Sequence, residues 1–181
     1  MRITSADGTN RLTSDFVIAL AETVRNLAKV EAAIVITGSD KFFSAGADLV
    51  QIAALGGPAA YEFARMGQKL MQELSDFPAP TYAAIAGYCM GGGLDLALAC
   101  RHRIASPHAV FGHRGAALGL ITGWGGTQRL PRLIGKGRAL EMFVAAEKIA
   151  AVRGLQMGLV DAISEDPVKE CICRIRSAFR V

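Results

Sequence analysis

The sequence lacks any long uninterrupted apolar stretch. Hydrophobic residues make up 51% of its 181 residues, yet Asp, Glu, Arg or Gly breaks every window long enough to cross a bilayer. No membrane-spanning helix is expected. No apolar run follows the first basic residue of MRITSADGTN, so no secretory leader is expected, and the cytoplasm is the expected compartment. Cysteine is scarce: Cys89, Cys100, Cys171 and Cys173 show no CxxC spacing, a pattern of free thiols rather than a disulfide framework. Charged residues are only 20% and the net charge only +4, which together with the apolar content excludes intrinsic disorder. Aromatic residues are 7% and do not interleave with the basic ones, so nucleic acid is a disfavoured partner. The three histidines have no Asp, Glu or Cys at ligand spacing, and no metal is expected. With no repeat, low-complexity tract or Pro/Ser linker, residues 1–181 are expected to form a single domain.

One further absence is local. Between residues 96 and 140 there is no Asp or Glu, while Arg101, Arg103, Arg114, Arg129, Arg132, Lys136 and Arg138 all fall there. Such a run is either a solvated basic face or the partner of a polyanion such as phosphate groups. Twelve of the 20 glycines lie between Gly87 and Gly137, where backbone must turn tightly or approach a ligand.

What is present is an alternation of helix and strand. Thr13, Ser14 and Asp15 are cap candidates before the periodic Phe16, Ile18, Leu20, Val24 and Leu27. AAIVIT (32–37) reads as a strand buried on both faces. FFSAGADL (42–49) reads as a second strand breaking at Ala45-Gly46 into a helix. A helix is expected over 59–77, ending before Pro78 and Pro80. TYAAIAG (81–87) is another strand, followed by a helix in LDLALAC and a strand in RHRIAS. Residues 112–126 are expected to be loop, with helices near 127–134, 137–147, 151–158 and 166–179. This is an α/β pattern.

Two strand-to-helix junctions, SAGADL and YCMGGGLDL, offer unpaired backbone N–H groups and positive dipole ends. Side by side they could aim two N–H groups at one oxygen; each alone could equally be a packing contact. Neither fits a P-loop or GxGxxG. In this order, IVITGSDKFFSAGADL, AAIAGYCMGGGLDLALACRHRIAS, FGHRGAALGLITGWGGTQRLPRLIGKGRAL and GLQMGLVDAI resemble the crotonase superfamily, the enoyl-CoA hydratase/isomerase family, over Asn10 to Ile163.

The resemblance implies a spiral of ββα turns with peripheral helices, shortened at both ends relative to the family. It implies an acyl-CoA thioester whose carbonyl is held by the N–H groups of Ala47 and Gly92, stabilising an enolate. It places Ala45, Gly46, Ala47, Asp48, Leu49 and Gly92 against CoA, with no cofactor beyond the CoA carried by the substrate. Asp95 stands where family hydratases place one Glu, and is the implied general acid/base. The second Glu should fall at Gly115, which has no side chain to move a proton. His113, two residues earlier, is the substitute base. Tyr88, Cys89 and Trp124 are candidates for the acyl pocket, His102 and His108 for structural roles. Exposure of the apolar stretch Leu118 to Trp124 points to a homotrimer or a dimer of trimers. The expected activity is hydration or double-bond isomerisation of an enoyl-CoA. The missing carboxylate keeps open a decarboxylase, a thioester hydrolase, or a weakly catalytic CoA-binding or RNA-binding relative.

Overall fold

The computed structural model of the chain describes residues 1–178. Strand β1 (Arg11–Leu12) leads into α1 (Ser14–Ala28), where the Thr13 hydroxyl accepts from the Phe16 amide at 3.2 Å and caps the helix. Three ββα turns follow. The first is β2 (Ile34–Thr37), β3 (Phe42–Ser44) and β4 (Gly46–Ala47), then the short α2 (Leu49–Ala53) and the long α3 (Gly57–Ser75). The second is β5 (Thr81–Ile85), β6 (Tyr88–Met90) and α4 (Gly92–Ala99). The third is β7 (His102–Ala105), β8 (Val110–Gly112), a 3₁₀ turn at Gly115–Leu118, α5 (Gly126–Ile134) and α6 (Lys136–Ala145). The described chain closes with β9 (Ile149–Ala150), α7 (Ala151–Met157), β10 (Ala162–Ile163) and α8 (Pro167–Ala178).

The first strand of each turn enters one sheet and the second strand enters another. One sheet is wholly parallel in the order β10-β7-β5-β2, with Ile36 opposite Ala83 and Ala83 opposite Arg103. The other runs β3-β6-β8-β9, with β9 antiparallel to β8. The chain turns the corner between sheets at Gly38 and again at Gly87. A Cβ at Gly87 would stand 2.2 Å from the Lys41 carbonyl oxygen, and one at Gly38 would stand 2.2 Å from that of Phe42. Successive corners nest against each other, so only a hydrogen atom fits between them. The expected spiral of ββα turns is found.

Both faces of the parallel sheet are covered, which is why β2 and β5 are mostly apolar rather than alternating, while β7 carries His102 and Arg103. The side chains of β5 are buried throughout. Helix α1 lies against α3, contributing Val17, Leu20 and Val24 to a core shared with Leu70, Met71 and Leu74. Each such side chain contributes roughly 1.5–3 kcal/mol through burial. At the rim of this helix pair, Arg25 donates to both oxygens of Glu73 at 3.0 and 3.1 Å. Helix α4 is buried on every side from Gly93 to Ala99, so a charged residue inside it must have a reason to be there.

The expected elements match to within two residues at most ends, apart from the extra strands. Residue 179, the expected last position of the final helix, lies outside the described residues, as do positions 180 and 181 of the expected domain. The expected loop over 112–126 is corrected: it opens on the last residue of β8 and contains the 3₁₀ turn. Strands β4, β6, β8, β9 and β10 have two or three residues each, too few to show a period. A neighbour's backbone, not their own side chains, makes them strands.

Candidate active site

Pairing of β3 with β6 sets the two strand-to-helix junctions side by side. At the first, the Ser44 hydroxyl donates to the Asn10 carbonyl at 2.7 Å and accepts from the Gly46 amide at 3.1 Å. Gly46 sits at φ +94°, and a Cβ there would stand 2.6 Å from the Met90 carbonyl oxygen and 3.0 Å from the Gly92 nitrogen. From the other side, a Cβ at Gly92 would stand 3.3 Å from the Ala47 nitrogen. The amide nitrogens of Ala47 and Gly92 are therefore near neighbours. Gly92 opens α4, so its N–H has no acceptor within the helix.

Both junctions open onto a cavity of about 410 Å³. Ala45, Ala47, Leu49 and Gly92 line it, as do Ile52, Phe63, Leu118, Leu120, Ile121 and Trp124. Gly46 and Asp48 do not. Asp48 instead caps α2, accepting from the Gln51 amide at 2.9 Å, and faces Arg11 at 3.6 Å. Trp124 forms a wall: its indole donates to the Phe63 carbonyl at 3.2 Å and its ring tilts against that of Phe63 at 5.2 Å. Tyr88 and Cys89 lie off the cavity, a correction to their expected place. Cys89 is wholly buried beneath α4, and burial pushes its thiol well above the usual range. The acid-free basic run is divided. Only Arg114 reaches this cavity, whereas Arg101, Arg103, Arg129 and Arg132 line a separate pocket. His102 stacks on Tyr82 at 4.7 Å, a packing role.

Asp95 lies one helical turn beyond Gly92, where the side chain points back over the opening of the helix. It is 1% exposed and lines the cavity. The Thr122 hydroxyl donates to its Oδ2. Its Oδ1 stands 3.4 Å from Nε2 of His113, which is 3% exposed. Neither of those two atoms has a hydrogen-bond partner. Burial raises the Asp95 carboxyl to about 7, against the opposing pull of the Thr122 hydroxyl, the Arg129 charge and the Trp124 and Gly126 amides. Burial lowers His113 to about 4. His113 is thus neutral at physiological pH and turned toward Asp95. Thr122 was not legible in the sequence, since a lone hydroxyl 27 residues from its partner carries no spacing signal.

Residues 8–176 match the sequence family described as enoyl-CoA hydratase/isomerase. The chain belongs to that family. A probable enoyl-CoA hydratase of Bacillus subtilis is 44% identical to it over 134 residues, 74% of this chain and 52% of that protein. The chain therefore spans about half the length of that curated relative. Among solved structures, DspI of Pseudomonas aeruginosa superposes with a TM-score of 0.91 at 37% identity, covering 96% of this chain and 68% of that one. The enoyl-CoA hydratase of Thermoplasma volcanium superposes at 0.93 with 31% identity, covering 99% and 73%.

Position 115, where the resemblance led a second carboxylate to be expected, holds a glycine. Gly115 begins the 3₁₀ turn on the cavity wall, and a Cβ there would stand 2.7 Å from the Leu120 carbonyl oxygen. The turn closes through the Leu120 amide, which donates to the Gly115 carbonyl at 2.8 Å. The absent carboxylate is therefore built into the path of this loop. Among the described residues, no three His, Cys, Asp or Glu side chains gather in a way that could hold a metal ion. Nor, among them, is any helix long and apolar enough to cross a membrane.

Proposed function

We propose that the chain is an acyl-CoA enzyme that hydrates an enoyl-CoA or shifts its double bond through the enolate of the thioester. The thioester carbonyl accepts from the N–H groups of Ala47 and Gly92, and the acyl chain lies along the apolar wall formed by Phe63, Leu120 and Trp124. The CoA part runs past Ala45 to Leu49, and no cofactor beyond that CoA is required. Asp95 is the general acid/base. In the double-bond shift its carboxylate takes the proton at Cα of a 3-enoyl-CoA, the C–H electron pair moves into the carbonyl as a dienolate, and the O–H proton is delivered to Cγ. A carboxyl poised at about 7 is divided between acid and base at neutral pH, as that double task needs. The observation that carries this reading is the arrangement of one cavity, two adjacent amides and one buried carboxyl.

Gly115 supports a second reading within the same site. Hydration in this family draws on two carboxylates, whereas a one-base shift of the proton from Cα to Cγ needs only Asp95. A decarboxylase or thioester hydrolase would likewise manage with the two amides and fewer carboxylates. Turnover of crotonyl-CoA and of a 3-enoyl-CoA distinguishes these. The expected result is faster isomerisation than hydration, with Asp95→Asn lowering either by about 10²–10⁴-fold. A protein that turns over neither substrate, or an Asp95→Asn variant as active as the parent, would refute the assignment.

The reading extends to assembly and place. Leu118, Leu120 and Ile121 are exposed on the cavity rim, Ile121 at 73%. A homotrimer or dimer of trimers would cover such surface, and the cytoplasm is the compartment. Sedimentation at micromolar concentration is expected to give a species of at least three chains; a stable 19.1 kDa monomer would refute it.

A further inference from the structure

Two ionisable atoms are sealed into the floor of the cavity, where the Trp124 and Gly126 amides and the Thr122 hydroxyl also draw on the carboxyl. Oδ1 of Asp95 and Nε2 of His113 are buried, 3.4 Å apart, and each lacks a hydrogen-bond partner. Thr122 occupies the other carboxylate oxygen. Gly126 lies directly over the pair: a Cβ there would stand 2.2 Å from Oδ1 and 2.9 Å from Nε2. On its other flank the imidazole is met by the Phe143 ring of α6, centroids 5.2 Å apart. The charged and titratable groups near the pair are Arg114, which lines the same cavity beside His113, Arg129 from α5, whose charge favours the carboxylate, and, beneath α4, Cys89 from β6, whose thiol burial pushes well above its usual range.

The geometry points to a role for His113 exercised through Asp95: the two side chains hold a single proton, carried by Asp95, and neutral His113 is a positioning residue that accepts from the carboxyl. An ion pair here would have both charges desolvated without one good hydrogen bond, whereas an uncharged acid and an uncharged imidazole avoid that cost. The opposed displacements of the two groups, one to about 7 and the other to about 4, follow the same physics. Chemically, the C–H bond at Cα breaks as the O–H bond of Asp95 forms, and that O–H turns toward the lone pair on Nε2. On return the O–H bond breaks and a C–H bond forms, with His113 neither gaining nor losing a proton. One carboxyl with a fixed resting place for its proton thus takes on work that the family divides between two. The chemistry rests on the acyl-CoA reading; the titration does not.

The test is nitrogen NMR of ¹⁵N-histidine-labelled, ligand-free protein across pH, with Asp95→Asn as control. The expected spectrum keeps His113 in one neutral tautomer down to about pH 5, with a step in its nitrogen shifts centred near 7 as Asp95 titrates. That step vanishes in Asp95→Asn, and the same midpoint governs kcat/KM of the parent enzyme. An imidazolium signature with a midpoint near the ordinary 6.5, unmoved by Asp95→Asn, would overturn the proposal. So would shifts with no step at all. If the acyl-CoA reading alone is wrong, turnover is absent while the step persists.

Discussion

Removing either member of the buried pair should turn a flat stability profile into a slope, with opposite signs for the two removals. The Asp95 carboxyl is raised in the folded chain from 3.8 to about 7. Between those values the folded state holds a proton that the unfolded state has released, so this group's stability is fully present below 3.8 and is lost as pH rises to about 7. His113 runs the other way. It is lowered from 6.5 to about 4, so its stability is present above 6.5 and lost as pH falls to about 4. In the native pair the proton sits on Asp95, and in the unfolded chain it sits on His113. From about 4 to 6.5 both states therefore bind one proton, and the pair contributes no slope.

Asp95→Asn removes the first titration. Relative to the parent, its unfolding free energy should rise by about 1.4 kcal/mol per pH unit between 3.8 and about 7, on the order of 4 kcal/mol in all. His113→Leu removes the second, and relative to the parent its free energy should fall with rising pH by roughly 3 kcal/mol between about 4 and 6.5. Those are large fractions of a typical domain stability of about 5–15 kcal/mol. Urea unfolding of the three proteins at a series of pH values reads the differences, and every other titrating group cancels in the subtraction. Two variants that keep the parent's pH dependence would refute the buried-pair argument, since neither group would then differ in proton affinity between folded and unfolded chain.

Other perturbations probe the same site. Gly126→Ala drives a methyl to within 2.2 Å of Asp95 Oδ1, so it should cost about 1–3 kcal/mol in urea unfolding and most of the turnover of an enoyl-CoA. Ala47→Pro deletes one amide donor and should lower kcat by about 10²–10³-fold while the protein stays folded by circular dichroism. Full turnover in that variant would remove Ala47 from the site. Gly115→Glu restores the family's second carboxylate by name only. Its Cβ meets the Leu120 carbonyl at 2.7 Å, so the expected outcome is a destabilised loop and no gain in crotonyl-CoA hydration.

Much of this architecture was legible in the residues because the helices and the buried strands of the parallel sheet are long enough to carry a period. Val17, Leu20 and Val24 mark the inner face of α1, and Ile34, Val35 and Ile36 form the apolar run of β2. The second sheet was mostly illegible, since strands such as β8 and β9 exist only through their neighbours. Within the site, Asp95 and the two glycine junctions stood out as motifs, and the cavity contains residues from both. His113 stood out for its chemistry, but sequence could not show that Nε2 faces Asp95 rather than substrate. Nor could it show that Tyr88 and Cys89 are turned away, because orientation in a three-residue strand depends on which neighbour it pairs with. Thr122 and Gly126 were silent for the same reason: their importance is a distance, and no spacing encodes it.

The nested corners at Gly38 and Gly87 bear on how such a protein can change over generations. The Ala47 and Gly92 amides follow two paired strands, so their separation is inherited from the repeat of a sheet, about 4.8 Å between neighbouring chains. Main-chain atoms set that interval, and mutation of surrounding side chains leaves it almost untouched. The groups that handle protons, by contrast, are single side chains on one helix turn and one loop. Point mutation can therefore exchange Asp95, His113 or Gly115 without altering the interval between the two amides. Reaction type becomes an easily edited trait mounted on a feature that point mutation can hardly reach.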